Sequence, residues 1–256
     1  MPTIAIFGAG PGLGRSVAEK FGREGYTVAL VARNKDKLEK LAKELRREGI
    51  TAHAIPGDLM ASAEIGKLAT RIRETAGDPD VIYYAPTSPD MTFVPAAELT
   101  PEAIEANTTL LLTTFAALVS EFLPHMVTQK SGAILTAQGT TALQGTPRMS
   151  GPGPAMAAQR NYLQALQKEL APSNVFVGRL YISALIEHSA IHQSLQAAGK
   201  SVPSVGLASP DKLAEKLWAM QKKGRPHEAA APEPGKALAR LMATSPVQKF
   251  MTKYTS

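Results

Sequence analysis

Thr3-Ile-Ala-Ile-Phe7, Gly8-Ala9-Gly10-Pro11-Gly12-Leu13-Gly14, Arg15-Ser-Val-Ala-Glu-Lys-Phe21 and Tyr26-Thr-Val-Ala-Leu-Val31 follow one another at the start of this chain. The first and last blocks are short, continuous apolar runs rich in branched side chains, as expected of strands buried on both faces. The third block sets Val17, Ala18 and Phe21 at helical spacing. Strand, glycine turn, helix and strand in this order read as the first half of a unit of parallel strands joined through a helix.

The glycines say what the turn is for. A diphosphate can be held by backbone N–H groups and the positive end of a helix, with no side chain involved. The backbone reaches the phosphates only where no Cβ intervenes, so glycine is required at the contact points. The turn therefore implies a dinucleotide cofactor, held by Gly8, Gly10, Pro11, Gly12, Leu13 and Gly14. The end of the second strand reads Ala32-Arg33-Asn34, with no carboxylate before Asp36. A carboxylate there would suit the ribose hydroxyl of NAD, whereas a guanidinium grips a 2′-phosphate in a bidentate way. Arg33, with Asn34 beside it, thus points to NADP(H). Arg15 reads as a solvated helix residue.

Working outward, helices and strands alternate. A helix is expected over Lys35–Glu48, ending at Gly49, and a strand over Thr51–Pro56. A helix follows over Ser62–Ala76, then a strand from Pro79 that runs into a turn at Pro86. Thr100 caps a helix with Pro101 in its first turn, running to about Thr128. Gly132–Ala137 is a strand, Gln138–Pro154 a loop, Ala155–Leu170 a helix and Asn174–Ile182 a strand. Ser209 starts a helix that runs to Lys223, and His227–Pro234 reads as a short last strand. Alternation of this kind implies an α/β, Rossmann-like, doubly wound parallel sheet with helices on both faces. No linker divides the chain, so residues 1–256 are expected to form one domain. Residues 184–205 would serve as a substrate lid and 235–256 as a helical tail.

Composition excludes several classes of function. There is no cysteine, hence no disulfide framework and no thiolate metal site. His188 and His192 are spaced i, i+4 without a glutamate in metal-binding relation, and read as a polar helix face. The net charge of +6 is spread over helices that interleave acids and bases, and aromatic residues are only 5%, so nucleic-acid binding is not expected. No apolar run is expected to span a membrane and no signal peptide precedes the first strand, which implies a cytoplasmic protein.

Several landmarks together make the chain resemble the short-chain dehydrogenases/reductases over about residues 3–183. Gly8, Gly12 and Gly14 match that family's cofactor turn, and Asp58-Leu59 stands where the family places an Asp beside the adenine. Asn107 falls in the long helix after the fourth strand, as in the family, and Glu169-Leu-Ala-Pro172 matches the usual end of the next helix. The resemblance implies a small-molecule substrate, and a homodimer or homotetramer paired through the helices at about 101–128 and 155–170. It also places Ala85 and Pro86, at the end of the fourth strand, against the cofactor.

The family's chemistry rests on a Ser at the end of the fifth strand and a Tyr-x-x-x-Lys in the following helix. Counting from Gly132 and back from Glu169 puts Gly139, Pro152 and Met156 at those positions. None of the tyrosines at 26, 83, 84, 162, 181 and 254 is followed four residues on by Lys. The family's Asn-Asn-Ala-Gly stands as Tyr83-Tyr84-Ala85-Pro86, and its Pro-Gly after the sixth strand as Ile182-Ser183. Three readings stay open: an NADP(H)-dependent oxidoreductase with another proton donor or none, a non-catalytic NADP(H)-binding protein, and a structural partner for an active relative. For the first, Tyr84 is the foremost substitute donor, with Asn107 as the surviving catalytic residue. Tyr181, Ser150, Arg148 and His188 follow.

Overall fold

Seven parallel strands form one sheet in the computed structural model, which describes residues 1–88, 91–199 and 206–231. The strands are β1 (Thr3–Phe7), β2 (Thr27–Ala32), β3 (Ala52–Pro56), β4 (Val81–Tyr84), β5 (Gly132–Gly139), β6 (Val175–Ile182) and, leaving two short strands for later, the outermost (Glu228–Ala231). From one edge they run β3, β2, β1, β4, β5, β6 and then Glu228–Ala231. The chain builds outward from β1 to β3, then returns beside β1 with β4 and builds the other way. That reversal makes a crevice at the carboxyl ends of β1 and β4, where such sheets hold their ligands. Phe7 and Tyr84 are paired at the ends of these two strands.

Alternation along the strands sorts the core onto two faces. Ile4, Ile6, Val28, Leu30 and Tyr83 face α1 (Leu13–Arg23), α2 (Lys35–Arg47) and, near the end of the chain, helix Pro210–Lys223. Phe7, Ala29, Val31, Ile82 and Tyr84 face the opposite layer, made by α3 (Ile65–Ala76), a long helix from Pro101 to Gln129, and helix Gly153–Glu169. Helix starts follow the residues that cap them: Asn34 Oδ1 accepts from Lys37 N–H, and Thr100 Oγ1 from Ala103 N–H.

The expected single helix after β4 is interrupted. It consists of α4 (Pro101–Thr108), a π turn over Thr109–Thr113, and α5 (Thr114–Gln129). A π turn breaks the regular helical ladder and often marks a functional region. Here two of its carbonyls accept from side chains of other elements: Leu110 from the Tyr84 hydroxyl and Leu111 from the Gln159 amide. Those partners lie far away in sequence, so no local pattern announces the turn. The same stretch corrects the expectation about membrane spans, because Pro101–Gln129 is long and apolar enough to cross one by length and composition. In this fold Phe115, Leu118, Val119, Phe122 and Met126 are buried against the sheet, which explains the apolarity.

The helix Gly153–Glu169 is α6, and five further elements follow β6 among the described residues. A small parallel pair joins β7 (Leu185–Ile186) to β8 (Leu207–Ala208), and α7 (Ala190–Ala197) lies between them in sequence. Helix Pro210–Lys223 is α8 and strand Glu228–Ala231 is β9. β9 is pinned by charge. Arg179, only 2% exposed on β6, donates through Nε to Glu228 Oε1 at 3.0 Å and through Nη1 to the Leu163 carbonyl at 2.9 Å. Arg160 on α6 grips both oxygens of Glu228, at 3.1 and 3.0 Å. The expected tail at 235–256 lies outside the described residues, as do residues 200–205 of the expected lid.

Candidate functional site

Each glycine of the turn has a different neighbour. Gly8 adopts φ +94°, and a Cβ there would come within 2.8 Å of the Ala85 carbonyl oxygen and of Pro86 Cα. The end of β4 thus closes directly on the turn, and Ala85 N–H donates to the Phe7 carbonyl at 3.1 Å. Gly14 is required by the turn itself, since its Cβ would meet the Gly8 carbonyl oxygen at 2.7 Å. Gly12, at the start of α1, abuts Ser189, whose Cα would lie 3.0 Å from an added Cβ. Gly10 alone faces open space, with no atom nearer than 3.9 Å to that position, and Pro11 beside it is exposed. No side chain caps α1, so its first N–H groups, beginning at Leu13, have no side-chain acceptor. The turn therefore has the shape and polarity for a diphosphate bound over Gly10.

The flanking residues take distinct places. Arg33 is exposed at the end of β2 and joins no ion pair among the described residues. Arg15 is engaged elsewhere, with Nε 2.7 Å from Glu19, Nη1 2.5 Å from Glu44 and Nη2 3.5 Å from Glu48. Asn34 caps α2, so its side-chain oxygen is in use. Asp58 is exposed after β3, and its Oδ1 accepts from Met60 N–H at 3.0 Å. Leu59 is buried, and its carbonyl accepts from the Thr114 hydroxyl at 2.7 Å.

Across the crevice, β5 and α6 bring Gly139 and Met156 together, with Pro152 one helical turn before Met156. Pro152 is the cap residue of α6 and Met156 stands in its first turn. A Cβ at Gly139 would lie 3.5 Å from Thr141 Oγ1 and 3.8 Å from Met156 Sδ. The side chains at these positions cannot exchange a proton. Deeper in, Gln138 donates to Gln159, which donates to the Leu111 carbonyl of the π turn. Asn107, 5% exposed, donates from Nδ2 to the Ala103 carbonyl at 2.7 Å, while its buried Oδ1 has no partner among the described residues. This Gln–Gln–carbonyl chain and the π turn were not foreseen; paired glutamines at the end of a strand and within an apolar helix face were the available signal.

Tyr84 is corrected by its surroundings. It lies 1% exposed in the core layer of α5, not at the crevice surface. Its hydroxyl donates to the Leu110 carbonyl, and burial pushes its phenol far above the ordinary range. A proton so held is unavailable to a substrate. Tyr181 is likewise committed: its hydroxyl donates to Glu228 Oε1 at 3.1 Å, and burial, then the Glu228 charge, push it up to about 12. Arg148 is exposed with φ 62°, and Ser150 N–H donates to the Val94 carbonyl at 3.0 Å. His188 also adopts positive φ, 60°, before α7 begins. Its N–H donates to Nδ1 of His192, which is 7% exposed, so His192 turns inward and does not belong to a polar helix face.

The sequence profile of short chain dehydrogenases matches residues 2–194. The chain belongs to the short-chain dehydrogenase family. It is 30% identical over 174 residues to 2,3-dihydro-2,3-dihydroxybenzoate dehydrogenase of Bacillus subtilis, a match covering 66% of this chain and 64% of that enzyme. A match of 28% over 184 residues to inactive hydroxysteroid dehydrogenase-like protein 1 of Pongo abelii covers 68% of the chain and 53% of that protein. Among solved structures, the short-chain dehydrogenase of Sphingobium yanoikuyae in complex with NADPH superposes with a TM-score of 0.76 at 26% identity, covering 98% of this chain and 96% of that one. This short-chain dehydrogenase thus carries the fold of an oxidoreductase family, with a glycine turn on one side of its crevice and apolar residues on the other.

Proposed function

We propose that this short-chain dehydrogenase is a cytoplasmic NADP(H)-dependent oxidoreductase acting on a small carbonyl, imine or activated alkene, without a tyrosine as acid. The observation that carries the reading is the turn: Gly8 and Gly14 have no room for a Cβ, while a Cβ at Gly10 would meet nothing nearer than 3.9 Å. The N–H groups of Gly10, Gly12 and Leu13 would hold the diphosphate, with Pro11 supplying no donor, and Arg33 would take the 2′-phosphate. Asp58 and Leu59 would border the adenine, and Ala85 and Pro86 the nicotinamide side. When bound, the nicotinamide supplies or accepts a hydride. The chain's own part is to place the substrate beside the cofactor, which for a substrate already short of electrons provides much of the rate, with water left to supply the proton. Asn107 would brace the end of α4, just before the π turn, through its bond to the Ala103 carbonyl. Residues 184–205 are read as the substrate lid, consistent with Ser189 seated on Gly12. Ile104 and Val127, 42% and 37% exposed on α4 and α5, suit a homodimer or homotetramer contact.

The side chains of Gly139, Pro152 and Met156, none of which can exchange a proton, favour a second reading, an NADP(H)-binding sensor or scaffold that does not turn over. Loss of reduced-nicotinamide absorbance with a panel of aldehydes, iminium ions and enones separates the two. Oxidation of NADPH by enones or iminium ions in preference to aldehydes is the expected result. Tight NADPH binding with no oxidation across the panel would establish the second reading instead.

A further inference from the structure

We propose that the Thr141 hydroxyl is the substrate-binding donor of this active site, giving a hydrogen bond to the carbonyl oxygen of an enone-type substrate. The inference rests on the reading of the chain as an NADP(H)-dependent enzyme. Gly139 ends β5 without a side chain, so the strand itself offers the crevice nothing. The space its side chain would enter is reached from two residues further on: Thr141 Oγ1 lies 3.5 Å from a Cβ built at Gly139.

That hydroxyl is held in place. Thr141 is 7% exposed in the 3-10 turn Thr140–Ala142, and β-branching restricts its rotamer. α6 makes room for it with Gly153, where a Cβ would lie 3.5 Å from Thr141 Cβ and 3.8 Å from Oγ1. The hydroxyl's partner is the Met156 thioether, with Oγ1 3.8 Å from Sδ. Sulfur of this kind is a weak acceptor, so a buried donor is left nearly unsatisfied. An oxygen entering between Gly139 and Met156 would be the stronger acceptor. A threonine hydroxyl is far too weak an acid to give up its proton, so the contact orients and polarises the oxygen and leaves proton delivery to water. A hydroxyl between glycines and a thioether suits a neutral carbonyl oxygen better than a charged group, so a neutral enone is the probe.

The test titrates cyclohex-2-enone into protein saturated with NADP⁺, where no turnover occurs, and follows ligand NMR saturation transfer. Wild type and Thr141→Ser should bind the probe alike, whereas Thr141→Val, which keeps the shape, should bind about tenfold more weakly. NADP⁺ affinity should be the same in all three. Adding Gly139→Ser to Thr141→Val should restore binding, since a side chain at 139 meets its neighbours at ordinary contact distance. Should Thr141→Val not fold, Thr141→Ala makes the same comparison. Equal probe binding by wild type and Thr141→Val, equal loss in the Ser and Val variants, or no probe binding to NADP⁺-loaded wild type would overturn the inference alone. Failure of wild type to bind NADP⁺ would overturn the functional reading with it.

Discussion

The two walls of the crevice are built on different principles. On the β1–α1 side the work falls to backbone: close approach at Gly8 and Gly14, an open position at Gly10, and a helix end with no side-chain cap. On the β5–α6 side, Gly139, Pro152 and Met156 carry no titratable group. Charge is plentiful in that half, but Arg160, Arg179 and Glu228 spend it on fixing β9 to β6 and α6. A site made from backbone survives only if its glycines survive, whereas a site made from side chains can be emptied while the fold stands. On the proposed reading, the β1–α1 side specifies cofactor binding and the opposite side limits the chemistry.

The comparison breaks most sharply at Gly8. Gly8→Val forces a branched side chain into a position of φ +94° and into the end of β4. NADPH binding should become unmeasurable by calorimetry, and unfolding free energy should fall by about 2–4 kcal/mol in urea titrations. An intact turn in that variant would mean that the glycine geometry is incidental.

The charged brace is the next largest effect. Glu228→Ala leaves the 2%-exposed Arg179 without its carboxylate and should cost about 2–3 kcal/mol, discounted because Glu228 is itself 29% exposed. Cofactor affinity should not change. Glu228 also carries a pH signature: despite burial, its bonds to Arg160 and Arg179 hold its carboxyl below the usual value. Its stabilisation is thus present above the unfolded carboxylate pKa of about 4.3 and is lost as pH falls through the lower folded value. Wild type should lose stability across that acid window, and Glu228→Gln should show a flatter acid limb.

Arg33→Glu sharpens the cofactor side. Loss of a charge-assisted bidentate contact should weaken NADPH by about 10- to 100-fold while leaving NADH unchanged or improved. Smallest of all is Tyr84→Phe. Turnover, where found, should change by less than about threefold, because the hydroxyl serves the Leu110 carbonyl. Stability should fall by about 1–2 kcal/mol as that buried carbonyl loses its donor. A hundredfold drop in rate would reinstate Tyr84 as the acid.

The fold was legible where local pattern and burial agree. Continuous apolar runs placed strands β1 to β6 to within a few residues, and Thr100-Pro101 and Ser209-Pro210 placed helix starts because capping chemistry is local. The π turn was not legible, since its carbonyls are satisfied by Tyr84 and Gln159 from other elements. Tyr84 itself shows the limit for sites. Alternation sets it on the opposite face from Tyr83, but only packing against Phe115 reveals that this face is core at the strand end. Thr141 was hidden for a similar reason, because its approach to Gly139 depends on how the chain turns after β5.

The most direct measurement is a thermal-shift titration of the full chain with NADPH and NADH side by side. Ligand at about a hundred times its dissociation constant stabilises by about 2.7 kcal/mol, a readily seen shift. The account predicts a clear rise with NADPH, little with NADH, and loss of that preference in Arg33→Glu. Equal shifts with both cofactors would contradict the role of Arg33, and no shift with either would contradict the reading of the glycine turn.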